Sequence, residues 1–157
     1  MRNVRTMVAS LAISGSALIG IALHEGYVGT AYDDGVGVQT IGFGTTQGVK
    51  KGDRITVERA LIRLGQNVDE KETAMKACVG AVPLYQYEWD AYVSLTYNIG
   101  TGAFCKSTLV KRLKTDPPDY KAACSEIIRW NRAGGRFLDG LVKRRRAEYL
   151  KCIGERR

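Results

Sequence analysis

Two carboxylates and a hydroxyl lie close together near the start of this 157-residue chain: Glu25, Asp34 and Thr40. A carboxylic acid that protonates a leaving oxygen, with a second carboxylate that directs a water or steadies positive charge, is the equipment of glycosidic bond cleavage. Such a pair needs contrasting settings, so that one member holds its proton while the other stays ionised. Glu25 directly follows an apolar run, whereas Asp34 precedes Gly35 and Gly37 in an open, glycine-rich loop. Thr40 begins the short β-former Thr40-Ile41-Gly42-Phe43-Gly44, where its hydroxyl is placed to hold an attacking water. Two acids nine residues apart do not select this chemistry by themselves.

The elements that must position these groups follow from pattern. Residues 25–46 are glycine-punctuated and rich in β-formers, which implies a helix end followed by a small sheet. Thr56 is a helix N-cap with Glu58 in the first turn, and Ala60, Leu61, Leu64 and Val68 give the helical period that predicts a long helix over about 57–78. Further helices are expected over Tyr87–Ile99, from the cap Ser107 to Leu113, over Asp119–Trp130, and over Leu141–Cys152. The architecture is α+β, mainly α-helical, with a small β element near the start.

Composition narrows the partners. The formal charge of +8, from 24 Lys+Arg against 16 Asp+Glu, favours an acidic partner such as nucleic acid, an anionic membrane or an acidic wall polymer. The run Lys143-Arg144-Arg145-Arg146 would suit nucleic acid but would leave residues 25–46 unexplained, so no nucleic-acid partner is expected. No metal and no cofactor is expected. Cys78, Cys105, Cys124 and Cys152 include no C-x-x-C pair, and the single histidine, His24, is remote from them in sequence. Four cysteines permit two disulfides or four buried thiols. His24 reads as a helix-end residue, Asp33 as a turn residue, and Trp89 and Trp130 as core.

Residues Thr6 to Leu23 form an uncharged run of 18, preceded by Arg2 and Arg5. A basic start and an apolar run read as an export signal. As a helix the run spans about 27 Å, just short of a ~30 Å hydrocarbon core. Ten of its residues are Ala, Gly, Ser or Thr, which contribute little to membrane transfer. Such a segment can hold a membrane position and also leave it. Cleavage near Gly20-Ile21-Ala22 competes, but would leave Glu25 beside a free end, where a catalytic acid lacks a fixed helix.

The string Glu25-Gly26, Ala31-Tyr32-Asp33-Asp34-Gly35-Val36-Gly37 and Thr40-Ile41-Gly42-Phe43-Gly44 resembles the signature of the phage lysozymes of glycoside hydrolase family 24. Tyr97-Asn98-Ile99-Gly100, Gly102-x-Phe104, Ser107-Thr108-Leu109, Trp130 and Gly140-Leu141-x-x-Arg144-Arg145-x-x-Glu148 extend the resemblance over about 24–153. The resemblance implies a two-lobed fold: a small lobe over 24–56, a connecting helix over 57–78 and a helical lobe over 80–157. It implies hydrolysis of the β-1,4 bond between N-acetylmuramic acid and N-acetylglucosamine in peptidoglycan. Glu25 would be the acid and Asp34 and Thr40 would direct water with inversion, while Tyr97, Asn98 and Ser107 would touch the sugar chain. Arg144 or Arg145 would stand beside the acid. Relatives often carry His where Thr45 stands, so a structural ion pair is expected to be missing. A non-catalytic wall-binding module and a lytic transglycosylase are the alternatives. Residues 1–23 further resemble the uncleaved anchor of the signal-anchor-release endolysins. That implies tethering through residues 6–23 to the host inner membrane, facing the periplasm, then release as a monomer and host lysis. In that setting the cysteines are expected to pair Cys78–Cys105 and Cys124–Cys152.

Overall fold

The structure is a computed structural model that describes residues 4–35 and 37–155. Its elements, in order, are β1 (Thr6–Met7), α1 (Gly15–Glu25), β2 (Val28–Asp33), β3 (Gln39–Gly42), α2 (Val57–Val79), β4 (Pro83–Leu84), α3 (Gln86–Ile99), α4 (Thr101–Lys106), α5 (Thr108–Leu113), α6 (Tyr120–Glu126), β5 (Arg132–Ala133), β6 (Arg136–Phe137) and α7 (Asp139–Cys152). This is the mainly helical α+β class expected from the pattern. The chain divides into two compact units, one of residues 15–70 and one of residues 1–14 with 71–157. The boundary near residue 70 falls inside α2.

In the unit of residues 15–70, β2 and β3 form an antiparallel hairpin with Tyr32 opposite Thr40 and Asp33 opposite Gln39. The other edge of β2 is taken by residues 53–55: Ala31 N–H donates to the Asp53 carbonyl (2.9 Å) and Ile55 N–H to that of Gly29 (3.0 Å). Past β3 the chain doubles back at once, because Ile41 and Thr45 exchange both backbone hydrogen bonds (2.9 and 3.0 Å). Gly42 is required in that turn. Its φ is +67°, and a Cβ there would lie 3.0 Å from the Ala60 Cβ of α2. Thr56 caps α2 as the sequence predicts, accepting from Arg59 N–H (3.4 Å). Ala17, Ile21, Ala22, Ile41, Phe43, Ala60, Leu64 and Val68 are buried.

The other unit is built on α3, in which every residue from Glu88 to Thr96 is buried. Trp89 is wholly buried and its indole N–H donates to the buried Glu72 carboxylate; Trp130 is only half-buried. Tyr92 is buried with its hydroxyl 3.7 Å from Cys124 Sγ, and burial pushes the phenol well above its ordinary range, so it stays neutral. Both expected disulfides are present: Cys78–Cys105 ties α2 to α4, and Cys124–Cys152 ties α6 to α7. Each closes a loop of 27 or 28 residues, a constraint that stabilises by about 3–4 kcal/mol through the unfolded chain.

The amino-terminal run differs from a single helix over 6–23. Only Gly15–Glu25 is α-helical, with a single 3-10 turn at Val8–Ser10 before it. Residues 4–14 form an arm on α3 and β4: Thr6 and Met7 pair with Leu84 and Pro83, Val8 N–H donates to the Val82 carbonyl (3.1 Å), and Val8 is completely buried. Arg5 forms an ion pair with the buried Glu88 (2.9 Å), and its guanidinium lies over the rings of Tyr85 and Tyr120 (4.2 and 3.6 Å). Burial opposes the Arg5 charge, but the hydrogen bond and charge of Glu88 outweigh it, and its pKa is raised. Ser14 ends the arm, donating to Asp90 from both its N–H (2.9 Å) and its hydroxyl (2.6 Å). Among the described residues no helix is long and apolar enough to cross a membrane.

Candidate active site

Glu25 is the last residue of α1, where Gly26 stops the helix. Gly26 has a φ of +71° and donates its N–H to the Ala22 carbonyl (3.0 Å), the left-handed termination that glycine permits. His24 is an exposed helix-end residue. The Glu25 side chain reaches the turn after β3: a Cβ on Gly44 would lie 3.7 Å from Glu25 Oε2. Gly44 also has a φ of +84°, so this position suits glycine by conformation as well as by the carboxyl beside it.

Asp34 lies at the mouth of the β2–β3 hairpin. Its N–H donates to the Val38 carbonyl (3.2 Å) and its Oδ1 accepts from Val38 N–H (3.2 Å). Asp33 is the turn residue expected, its Oδ1 accepting from Gly35 N–H (2.9 Å) and Gly37 N–H (3.0 Å). Thr40 is buried in β3, and among the described residues its hydroxyl makes a long 3.4 Å contact to the Val38 carbonyl, too long to hold the proton firmly. The two carboxyls therefore occupy different settings, Glu25 half-buried and Asp34 exposed. Glu25, Asp34 and Thr40 all belong to the unit of residues 15–70.

The turn that Glu25 meets is anchored by a contact the sequence did not reveal. Asn67 of α2 donates its side-chain N–H to Thr45 Oγ1 (3.2 Å). Thr45 is buried, and this hydrogen bond gives its hydroxyl a partner. No local pattern around Asn67 signals this, because its partner is 22 residues away.

The remaining candidate residues lie in the other unit. Tyr97 is half-buried, with the Lys71 ammonium 5.5 Å from its ring centre. Asn98 is exposed, and its Oδ1 accepts from Arg145 (3.0 Å). The Ser107 hydroxyl caps α5, accepting from Val110 N–H (3.3 Å) and donating to the Phe104 carbonyl (2.6 Å). Arg144 and Arg145 are buried and both pair with the buried Glu148, at 3.2 and 2.9 Å. Ser94 Oγ also donates to Glu148 (2.7 Å). Half of the basic run that suggested a nucleic-acid face is thus enclosed in the fold. The signal was present in sequence: Glu148 follows Arg144 and Arg145 at the four- and three-residue helical spacings. Among the described residues no cluster of His, Cys, Asp or Glu could hold a metal ion.

An acid at a glycine-stopped helix end, with a second carboxylate and a threonine on the hairpin of the same unit, has the make-up of a glycoside hydrolase site. The family model for phage lysozyme matches residues 22–148, and the chain belongs to that family of peptidoglycan-cleaving glycoside hydrolases. It is 39% identical over 140 residues to an endolysin of Acyrthosiphon pisum secondary endosymbiont phage 1, covering 87% of this chain and 94% of that one. It is 32% identical over 154 residues to the SAR-endolysin of Haemophilus phage HP1, covering 91% and 82%. Among solved structures, an endolysin from Escherichia coli O157:H7 phage FAHEc1 superposes with a TM-score of 0.79 at 34% identity, covering 92% of this chain and 94% of that one.

Proposed function

We propose that this protein is an endolysin that hydrolyses the β-1,4 bond between N-acetylmuramic acid and N-acetylglucosamine. Glu25 protonates the leaving oxygen, and Asp34 with Thr40 directs the attacking water to the opposite face of the sugar, with inversion. Tyr97, Asn98 and Ser107 contact the glycan. The observation that carries the reading is the placement of Glu25: Gly26 ends its helix, and the side chain comes to rest at Gly44, beyond the strand that holds Thr40. A Glu25→Gln protein keeps size and hydrogen bonding but cannot donate the proton, a loss of about 10²–10⁴-fold in general acid catalysis. It should fold with unchanged circular dichroism and fail to clear outer-membrane-stripped cells. Lysis at the wild-type rate would remove the assignment. Proton NMR of fresh product should show the α-anomer first; a β-anomer would contradict inversion, and anhydro ends would mark a lytic transglycosylase.

The same enzyme is tethered before it acts. Residues 6–23 form a weak membrane helix in the inner membrane, with the body facing the periplasm. Release lets residues 4–14 dock as the arm and residues 15–25 form α1, which delivers Glu25. Support comes from the SAR-endolysin relative and from the weak apolarity of the run. Gly15 and Gly20 supply a clean test, because a Cβ at either meets nothing within 4 Å. Gly15→Leu with Gly20→Leu therefore raises membrane affinity while each new Cβ starts in open space. The double variant should stay in the membrane fraction and fail to lyse, and normal release would defeat the tethering model.

A further inference from the structure

The arm of residues 4–14 carries a pattern that membrane tethering does not require. Arg5, Val8, Leu11 and Ser14, each three residues from the next, face the protein. Val8 is wholly buried and Leu11 is 6% exposed, whereas Thr6, Met7, Ala9, Ser10 and Ala12 are exposed. Each end is held by a buried carboxylate of α3. The Arg5 guanidinium donates two hydrogen bonds to Glu88 (3.3 and 2.9 Å) while lying over the rings of Tyr85 and Tyr120. Ser14 donates twice to Asp90. The Gln86 side-chain amide joins arm and receptor, donating to the Ala12 carbonyl (2.7 Å) and to Asp90 (2.9 Å). The fit is specific in register: a slip of one residue would bring Met7 or Ala9 to the Val8 site and take Arg5 off Glu88.

We infer that this contact is a register-specific latch: β4 and the start of α3 capture residues 5–14 on release and oppose their return to the membrane. The inference rests on the tethering reading proposed above. A segment shared between two states moves only by the difference in its affinity for them. Apolar burial separates these states little, because lipid and a packed groove both take Val8 and Leu11 out of water. The contacts of Arg5 and Ser14 with two carboxylates form only in the groove. Arg5 lies just outside the apolar run, so its charge acts in both states. Lysine at that position keeps the charge but loses the planar fork that grips Glu88. The latch ends at Ser14, the residue before α1, and so uses no residue of the helix that bears Glu25.

Exchanging neighbours separates docking from membrane affinity. Val8→Ala with Ala9→Val, and Leu11→Ala with Ala12→Leu, keep the composition, length and charge of the run but move a buried side chain to an exposed position. Ala9→Ser with Ser10→Ala is the control, both positions being exposed. Each full-length protein is mixed with vesicles of phosphatidylglycerol and phosphatidylethanolamine, and bound and free protein are separated by flotation. Each of the first two exchanges should raise the bound-to-free ratio about tenfold, within the range of a buried aliphatic truncation. The control should match wild type. Glu88→Gln leaves the run untouched and keeps an acceptor for the Tyr85 N–H that Glu88 caps. It and Arg5→Lys should each raise the ratio about threefold, and together no more than either alone, because they weaken one contact. Trypsin cleavage after Arg5 reads docking without a membrane, and should be about tenfold faster in both exchanges than in wild type or control. Exchanges that partition as wild type does overturn the latch and leave tethering intact, whatever trypsin shows. Faster cleavage throughout the chain, rather than after Arg5, would mark general unfolding and also overturn it. Wild type that never binds vesicles, with trypsin still separating the exchanges from the control, overturns the tethering reading instead.

Discussion

The unit of residues 15–70 and the unit built on α3 are held together by different means. The α3 unit has two disulfides, a fully buried stretch of α3 and a buried cluster in which two arginines share Glu148. The unit of residues 15–70 has no cysteine. Its shape depends on tight turns at Gly26, Gly42 and Gly44, each at positive φ, and on backbone pairing of short segments. It also carries Glu25, Asp34 and Thr40. Groups placed next to short turns are set by backbone geometry, and the fault that displaces them is a local one. In the α3 unit the comparable fault is a loss of global stability.

The strongest way to break this comparison is Glu148→Ala. It leaves two buried guanidinium groups without their shared partner, and breaking a buried ion pair from one side costs about 3–5 kcal/mol. Urea denaturation should show that loss, and a change below about 1 kcal/mol would mean that the cluster is well solvated. Next is Gly42→Ala. The new methyl meets Ala60 Cβ at 3.0 Å, and a non-glycine residue at a φ of +67° is strained, together costing about 1–3 kcal/mol. Because Gly42 adjoins the turn that receives Glu25, wall lysis should fall by more than the stability loss accounts for. Activity that merely tracks the folded fraction would erase the contrast between the units.

The same contrast explains what could be read from sequence. The glycine turns and the Thr56 cap are local, and residue type with spacing exposes them; Glu25, Asp34 and Thr40 were singled out by resemblance, because two acids nine residues apart select no chemistry by themselves. α4 was hidden because Gly100 and Gly102 disfavour helix, although its Phe104 is fully buried. The division of the 6–23 run at Ser14 is not local either. No residue in the run is a strong breaker, and the partners that hold the arm, Glu88 and Asp90, lie 83 and 76 positions away. The cysteine pairing followed from resemblance alone, since four cysteines permit three connectivities.

The smallest effect sharpens the comparison at the start of α2. The Glu58 carboxylate is held below its usual range, first by its own backbone N–H and then by the Thr56 hydroxyl, against a minor effect of burial. A carboxyl whose folded pKa is depressed adds stability above its unfolded value and loses it as pH falls through the folded one. Glu58→Gln should therefore lower Tm slightly near neutral pH and leave it unchanged once both carboxyl forms are protonated, below about pH 3. Glu58 is exposed, so the difference should also persist only weakly in high salt if dipole attraction contributes, and remain if the hydrogen bonds dominate. A Tm gap that grows on acidification would reverse the sign of the linkage and show that the ionised group works against this helix start. Such a result would remove Glu58 from the local supports of the unit that carries Glu25.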